Sequence, residues 1–161
     1  MKKVTFLLAT LLIGGMMLTG CKKDDPQPTP TPTPTPTAYT VVYKVGNSLN
    51  NSVLSPCFKL EVTYLDANGQ AVTESNITPP WEKAIEVTRP FHAKMDGSFS
   101  YNEAELPETV VYGRRFGIGG GNGSSINVNM TGAFSSSSKE AFLNLVAEHP
   151  DRLRFSTEKD F

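Results

Sequence analysis

Two cysteines, two histidines and a few clusters of acidic, basic and glycine residues are the groups in this 161-residue chain that carry chemical potential. Cys57 lies in the apolar run Cys57-Phe58-Lys59-Leu60, where a thiol is expected to be buried as a small hydrophobe. His92 and His149 stand far apart, and no Cys-x-x-Cys or His-x-x-x-His spacing occurs, so neither a metal nor a cofactor is expected. His92, beside Phe91, reads as a strand residue. His149, just before Pro150, reads as a helix C-terminus, where its cation suits the dipole. Glu103, Glu105 and Glu108 offer the carboxylates that acid–base hydrolysis needs, but they share a loop-like stretch with Pro107 and read as solvated. No Gly-x-Ser-x-Gly elbow is present, and no catalytic residue is assigned. Gly117-Ile118-Gly119-Gly120-Gly121-Asn122-Gly123 lacks the lysine and hydroxyl that end a phosphate loop, and it reads as a mobile hairpin loop. Three residues form a candidate binding surface. Trp81 either stacks on a ligand or fills a core. Arg114 and Arg115, as consecutive strand residues, point opposite ways, so one at most faces a given anionic partner.

The remaining cysteine, Cys21, closes a patterned N-terminus. Met1-Lys2-Lys3 is basic, Val4 to Met17 is almost wholly apolar, and Leu18-Thr19-Gly20-Cys21 follows. These are the regions of a bacterial secretory signal. The run from Val4 to Thr19 is 16 residues, short of the roughly 20 that cross a hydrocarbon core as a helix. Its Leu18-to-Cys21 ending resembles a lipobox. That resemblance implies cleavage before Cys21 and lipidation of its thiol, with three acyl chains, palmitate among them. Two chains already anchor stably, so three hold the protein on the membrane. Lys22-Lys23-Asp24-Asp25 resembles the export signal of Bacteroidota lipoproteins, which implies the outer membrane and its cell-surface face. The periplasmic face, and a plain solvated linker, are the alternatives.

Pro26 to Thr37 reads PQPTPTPTPTPT, with six prolines in twelve residues. Each proline fixes φ and lacks an N–H, so the segment favours polyproline II. From Lys22 to Thr37 it reaches up to roughly 50 Å. A spacer is the first reading; a ligand for a proline-binding module and an O-glycosylated stem are the others. The expected organisation is therefore residues 1–20 as signal, 21–37 as lipid anchor and stalk, and 38–161 as one folded domain. Loss of the signal leaves 13 basic against 16 acidic residues, a net charge of −3 with no basic patch for nucleic acid. With Cys21 acylated, Cys57 is a lone thiol and no intramolecular disulfide is expected.

The elements of that domain are mostly of period two. Tyr39–Val45, Phe58–Leu65, Gln70–Glu74, Trp81–Thr88, Phe91–Met95, Ser98–Tyr101, Thr109–Ile118 and Ser125–Met130 read as strands. Asn68-Gly69 and Asp96-Gly97 read as two-residue hairpin turns. Ser137 and Glu140 have capping-box spacing, and Ala141, Phe142, Leu145 and Val146 recur at helical period, which predicts a helix from about Ser138 to Glu148. Arg152 to Ser156 reads as a final strand. The predicted fold is an antiparallel Ig-like or transthyretin-like β-sandwich of seven or eight strands with one short C-terminal helix.

Val62-Thr63-Tyr64-Leu65-Asp66-Ala67-Asn68-Gly69, followed by Pro80-Trp81-Glu82-Lys83, resembles the small mycobacterial membrane proteins of the MmpS type and their Ig-like relatives. The resemblance covers residues 62–83. It implies a β-sandwich, a buried Trp81 and a role assisting a transport partner. The chain differs in its lipid anchor, its glycine run and its C-terminal helix. Together these readings lead to the expectation of a non-catalytic, lipid-anchored binding or accessory domain of the cell envelope, with an unidentified protein or glycan as ligand. The alternative is a glycan-processing or other hydrolase whose acidic residues converge only in the fold.

Overall fold

In Phe58–Leu65 the alternation of apolar and polar side chains becomes strand. The computed structural model describes residues 38–46, 54–123 and 125–161; the expected signal, anchor and stalk lie outside the described residues. Tyr39–Val45 (β1) and Phe58–Leu65 (β2) form over the expected spans. In β2 the apolar set Phe58, Leu60, Val62 and Tyr64 is buried, as a half-buried strand requires. Asp66 then turns the chain: its Oδ1 accepts from the backbone N–H groups of Asn68 and Gln70, both at 2.9 Å, and Gly69 takes φ +73°. Ala71–Ile77 (β3) returns beside β2, and Trp81–Val87 (β4) follows. His92–Tyr101 (β5), Thr109–Gly113 (β6), Phe116–Gly121 (β7) and Phe134–Ser138 (β8) lead into Lys139–Glu148 (α1). A 3-10 turn at Pro150–Leu153 connects to Arg154–Asp160 (β9).

The fold is mostly antiparallel β, a sandwich with one short C-terminal helix. One sheet has the order β4-β1-β7, a second β3-β2-β5-β9, and β6 pairs with β8 in a third. Aromatic rings join the first two. Tyr43 of β1 lies 5.4 Å from Tyr64 of β2, Tyr64 lies 5.6 Å from Trp81 of β4, and Phe116 of β7 stacks on Phe155 of β9 at 4.7 Å. Such pairs add to the area they bury. Phe142 of α1 inserts beneath the third sheet, against Phe58, Tyr101 and Tyr112.

Nine strands form among the described residues, more than the seven or eight expected, and the differences have physical causes. The expected strand Thr109–Ile118 breaks at Arg114-Arg115, because β6 pairs with β8 while β7 crosses to pair with β1. Asp96-Gly97 is not a hairpin turn. β5 runs straight through it, since β2 and β9 bond to its two sides. The glycine at 97 answers a packing demand instead: a Cβ there would lie 2.2 Å from Phe155 Cζ. The glycine run is not a loop either. Gly117 to Gly121 belong to β7, and the chain at Ser125 to Asn129 passes so close that a Cβ on Gly119 or Gly121 would come within 2.0 or 1.9 Å of a carbonyl oxygen. That following segment, expected as a strand, makes isolated bridges at Asn127 and Thr131. Finally, Ser138 caps α1, its hydroxyl accepting from Ala141 N–H at 3.2 Å. Ser137 is paired in β8 instead, so the expected capping box does not close.

Replacing Gly97 by alanine is therefore expected to lower unfolding free energy by about 1–3 kcal/mol through overpacking against Phe155. Ser100→Ala, on the exposed side of the same strand, should stay within about 0.5 kcal/mol. Urea titration of the two variants checks the contrast.

Candidate functional site

Four of the five arginines fall in two short segments, Arg114-Arg115 and Arg152 to Arg154. The fold brings those segments together. Arg114, Arg152 and Arg154 line a cleft of about 960 Å³ whose walls also include Phe116, Phe134 and Phe155. Arg114 leaves the end of β6, its own N–H held by Ala133 O at 3.2 Å. Its Nη1 donates to Asp151 O at 3.0 Å and to Arg154 O at 2.9 Å. Tyr112, one turn of the pleat earlier, donates its hydroxyl to Arg152 O. Tyr112 of β6 and Arg114 just after it thus tie down the turn that carries Arg152 and the start of β9 that carries Arg154. Burial pushes the Tyr112 phenol above its ordinary range, although the charges of Arg114 and Arg152 pull it back. It remains a donor at any physiological pH.

The charge balance in the cleft is unusual for a net-acidic protein. Asp96 and Asp151 are its two carboxylates. Asp96 pairs with Lys94 at 3.4 Å. Among the described residues, none of Arg114, Arg152 and Arg154 has a carboxylate partner within ion-pair distance. A guanidinium fixed by carbonyls and free of a countercharge is poised to receive an anion with its remaining N–H groups.

The other candidates separate from this site. Arg115 points away from the cleft, is 7% exposed, and keeps its Nε buried without a partner. Trp81 is not an exposed platform. Its side chain is 9% exposed, wedged against Tyr64, because β4 turns it inward between the sheets. Its Nε1 donates to Glu74 Oε2 at 3.0 Å, and Glu74 Oε1 accepts from Tyr64 (3.0 Å) and Lys83 (3.3 Å). Cys57 is buried. That burial pushes its thiol up, and the charge of Glu105 adds to the shift while its own backbone bond opposes it. Glu103 and Glu105 occupy a 3-10 turn capped by Asn102, away from the arginines. His92 lies on the surface with Nδ1 2.7 Å from Asp160 Oδ1, and His149 caps the end of α1. Cys21, Lys22, Lys23, Asp24 and Asp25 lie outside the described residues.

Among the described residues, no three His, Cys, Asp or Glu side chains gather as a metal site, and no helix is long and apolar enough to cross a membrane. No protein-family model matches the chain, and no curated protein matches it. Arg152, Arg154, Tyr112 and Glu74 escaped the sequence reading. Glu74 could have been found by register: it lies opposite Val62, on the face Tyr64 shares, within reach of Trp81 and Lys83.

The Glu74 cluster makes a pH prediction. Desolvation raises the Glu74 carboxyl, but the bonds from Trp81, Tyr64 and Lys83 outweigh it, and the net shift is downward from 4.5. A carboxyl lowered in the folded state stabilises above its unfolded pKa, and loses that contribution as pH falls through the folded value. Glu74→Gln is expected to cost about 1–2 kcal/mol at neutral pH, with the gap closing in acid below about pH 4. Denaturation of both proteins across pH measures this, and a buried-indole emission maximum confirms that Trp81 stays packed.

Proposed function

We propose that the chain is a lipid-anchored protein of the outer membrane that displays its β-sandwich on a Thr-Pro stalk, as a non-catalytic binding or accessory domain at the cell surface. The observation that carries the reading is the order of parts. A Leu18-Thr19-Gly20-Cys21 ending, resembling a lipobox, is followed by a proline spacer and then by one folded domain. An anchor and spacer have physical purpose only if the domain must act at a distance from the bilayer. The Arg114–Arg152–Arg154 cleft supports a binding role because it pairs uncompensated positive charge with apolar walls. The resemblance of residues 62–83 to MmpS-type domains supports an accessory role, since the resembling residues Tyr64, Trp81 and Lys83 converge on one carboxylate that ties the two sheets.

Cys21→Ala is expected to abolish incorporation of a clickable palmitate analogue and to move the protein from the membrane to the soluble fraction. Protease treatment of intact cells should release the domain of the parent protein, and cross-linking of whole cells should capture a partner. Retention of Cys21→Ala on membranes would sink the anchor, and protection from protease would place the domain on the periplasmic face.

A second reading has its own observation. Asp96 and Asp151 line the same cleft, as a hydrolase with converging carboxylates requires. That enzyme would cleave at least one member of a glycan panel, and Asp151→Asn would remove the activity without unfolding the domain. A panel left uncleaved decides against it.

A further inference from the structure

The arginine cleft opens onto an unpaired strand edge. Among the described residues β9 pairs only with β5, in a ladder from Ser98↔Arg154 to His92↔Asp160. One step beyond that ladder, Phe91 and Phe161 exchange both backbone bonds, at 3.1 and 3.0 Å. Antiparallel partners alternate between bonded and unbonded pairs. Counting back from Phe161, the positions bonded to β5 are Lys159, Thr157 and Phe155. The N–H and C=O groups of Ser156, Glu158 and Asp160 therefore point away from the sheet. Arg154 agrees with this count, since its N–H reaches Asp151 O and its C=O accepts from Arg114, both outside the ladder. Among the described residues no backbone group takes up those of Ser156, Glu158 or Asp160 on the outer side.

We propose that this edge and the adjoining cleft form a docking site for an extended acidic peptide segment, which adds as a strand along Ser156 to Asp160 and places its carboxylates against Arg114, Arg152 and Arg154. The inference rests on the display reading above and specifies the chemistry of the partner. Three observations carry it. An open edge of alternating donors and acceptors is a template for an incoming strand. At one end of that edge, three guanidinium groups lack a carboxylate, in a domain whose net charge is −3. Arg114 is already immobilised by two carbonyls, so little freedom is lost when it receives an anion. At the other end stand Glu158 and Asp160, with His92 2.7 Å from Asp160, so the segment's carboxylates are drawn to the arginine end.

The walls favour a peptide over an acidic glycan. A sugar ring needs an open aromatic face. Phe155 is 7% exposed and stacked on Phe116 with an interplanar angle of 17°, and Phe134 lies over Gly113, where a Cβ would come within 2.4 Å of its ring. These rings are engaged with the protein itself.

A labelled peptide of alternating glutamate and valine, titrated into the full chain in mild detergent, tests the proposal by fluorescence anisotropy. Saturable binding is expected, weakening with added salt and falling at least about tenfold when Arg152→Glu and Arg154→Glu are combined. Should that double variant fail to fold, Ser156→Pro serves instead: it removes an outward N–H without touching the ladder to β5, and it too should weaken binding. N-methylation of alternate peptide amides should abolish it. Absence of binding overturns the proposal, as does equal binding of a lysine–valine peptide or of the N-methylated one. Arginine-dependent binding of polygalacturonate in place of the peptide also overturns it, while leaving the display reading intact. That reading fails separately, through the fate of Cys21 and an empty cross-linking result.

Discussion

The contact between Phe155 and its two neighbours, Gly97 and Phe116, decides the shape of one side of this molecule. The ring fills the volume that a side chain at position 97 would need, and it stacks on Phe116 from the opposite sheet. β5 must carry a glycine for β9 to lie flat against it, and β7 must offer an aromatic face for β9 to bridge the sandwich. Once Phe155 is fixed, its neighbours follow from the pleat. Arg154 and Ser156 project to the other side, Arg152 lies in the preceding turn, and Arg114 reaches across to hold that turn by two carbonyls. The cleft is thus a consequence of core packing: Arg154 stands on β9, and the connections that carry Arg114 and Arg152 are pinned by hydrogen bonds to carbonyls.

The far side of the sandwich is closed by a different device. There, Glu74 of β3 accepts three bonds, two from β4 and one from β2, so a single carboxylate ties the two sheets where aromatic packing alone would leave polar atoms unmatched. A tryptophan N–H buried without a partner is costly, and Glu74 removes that cost. The two devices differ in how they respond to conditions. The Phe155 contact is indifferent to pH, whereas the Glu74 knot loosens in acid.

Strands with clean alternation were legible from the sequence, and for a simple reason. In β2 one face meets the core and the other is part-exposed, so burial writes itself into the residue order; β1 was legible through its β-branched and aromatic residues instead, with Val41, Val42 and Tyr43 all buried. The antiparallel sandwich and its C-terminal helix followed from the same patterning. Glycine misled the reading twice. Gly97 and the run Gly117 to Gly121 suggest turns and loops because glycine tolerates unusual φ, yet at these positions it is present for want of space. The space is taken by Phe155 in one case and by the chain at Ser125 to Asn129 in the other, and neither contact is visible in local sequence. The candidate site was half legible for a related reason. Arg114 stood out beside a glycine run, but Arg152 and Arg154 are distant in sequence and join it only through the turn after α1.

Charge placement gives the arginine cleft its meaning. Lysines are spread over the strands, where several pair with carboxylates, as Lys44 does with Glu82 at 2.9 Å and Lys94 with Asp96 at 3.4 Å. Such exposed pairs contribute little to stability and keep the surface soluble. The arginines behave otherwise. Arg89 lies over the Tyr39 ring at 3.9 Å, and the remaining four are gathered at the junction of β6, β7 and β9. A net-acidic surface that concentrates its planar, multidentate cations beside an unpaired backbone edge has two recognition elements in one place. Either alone would be common: edges are often guarded by charge, and arginines often pair across a surface. Their coincidence sets this face apart from the rest of the described surface.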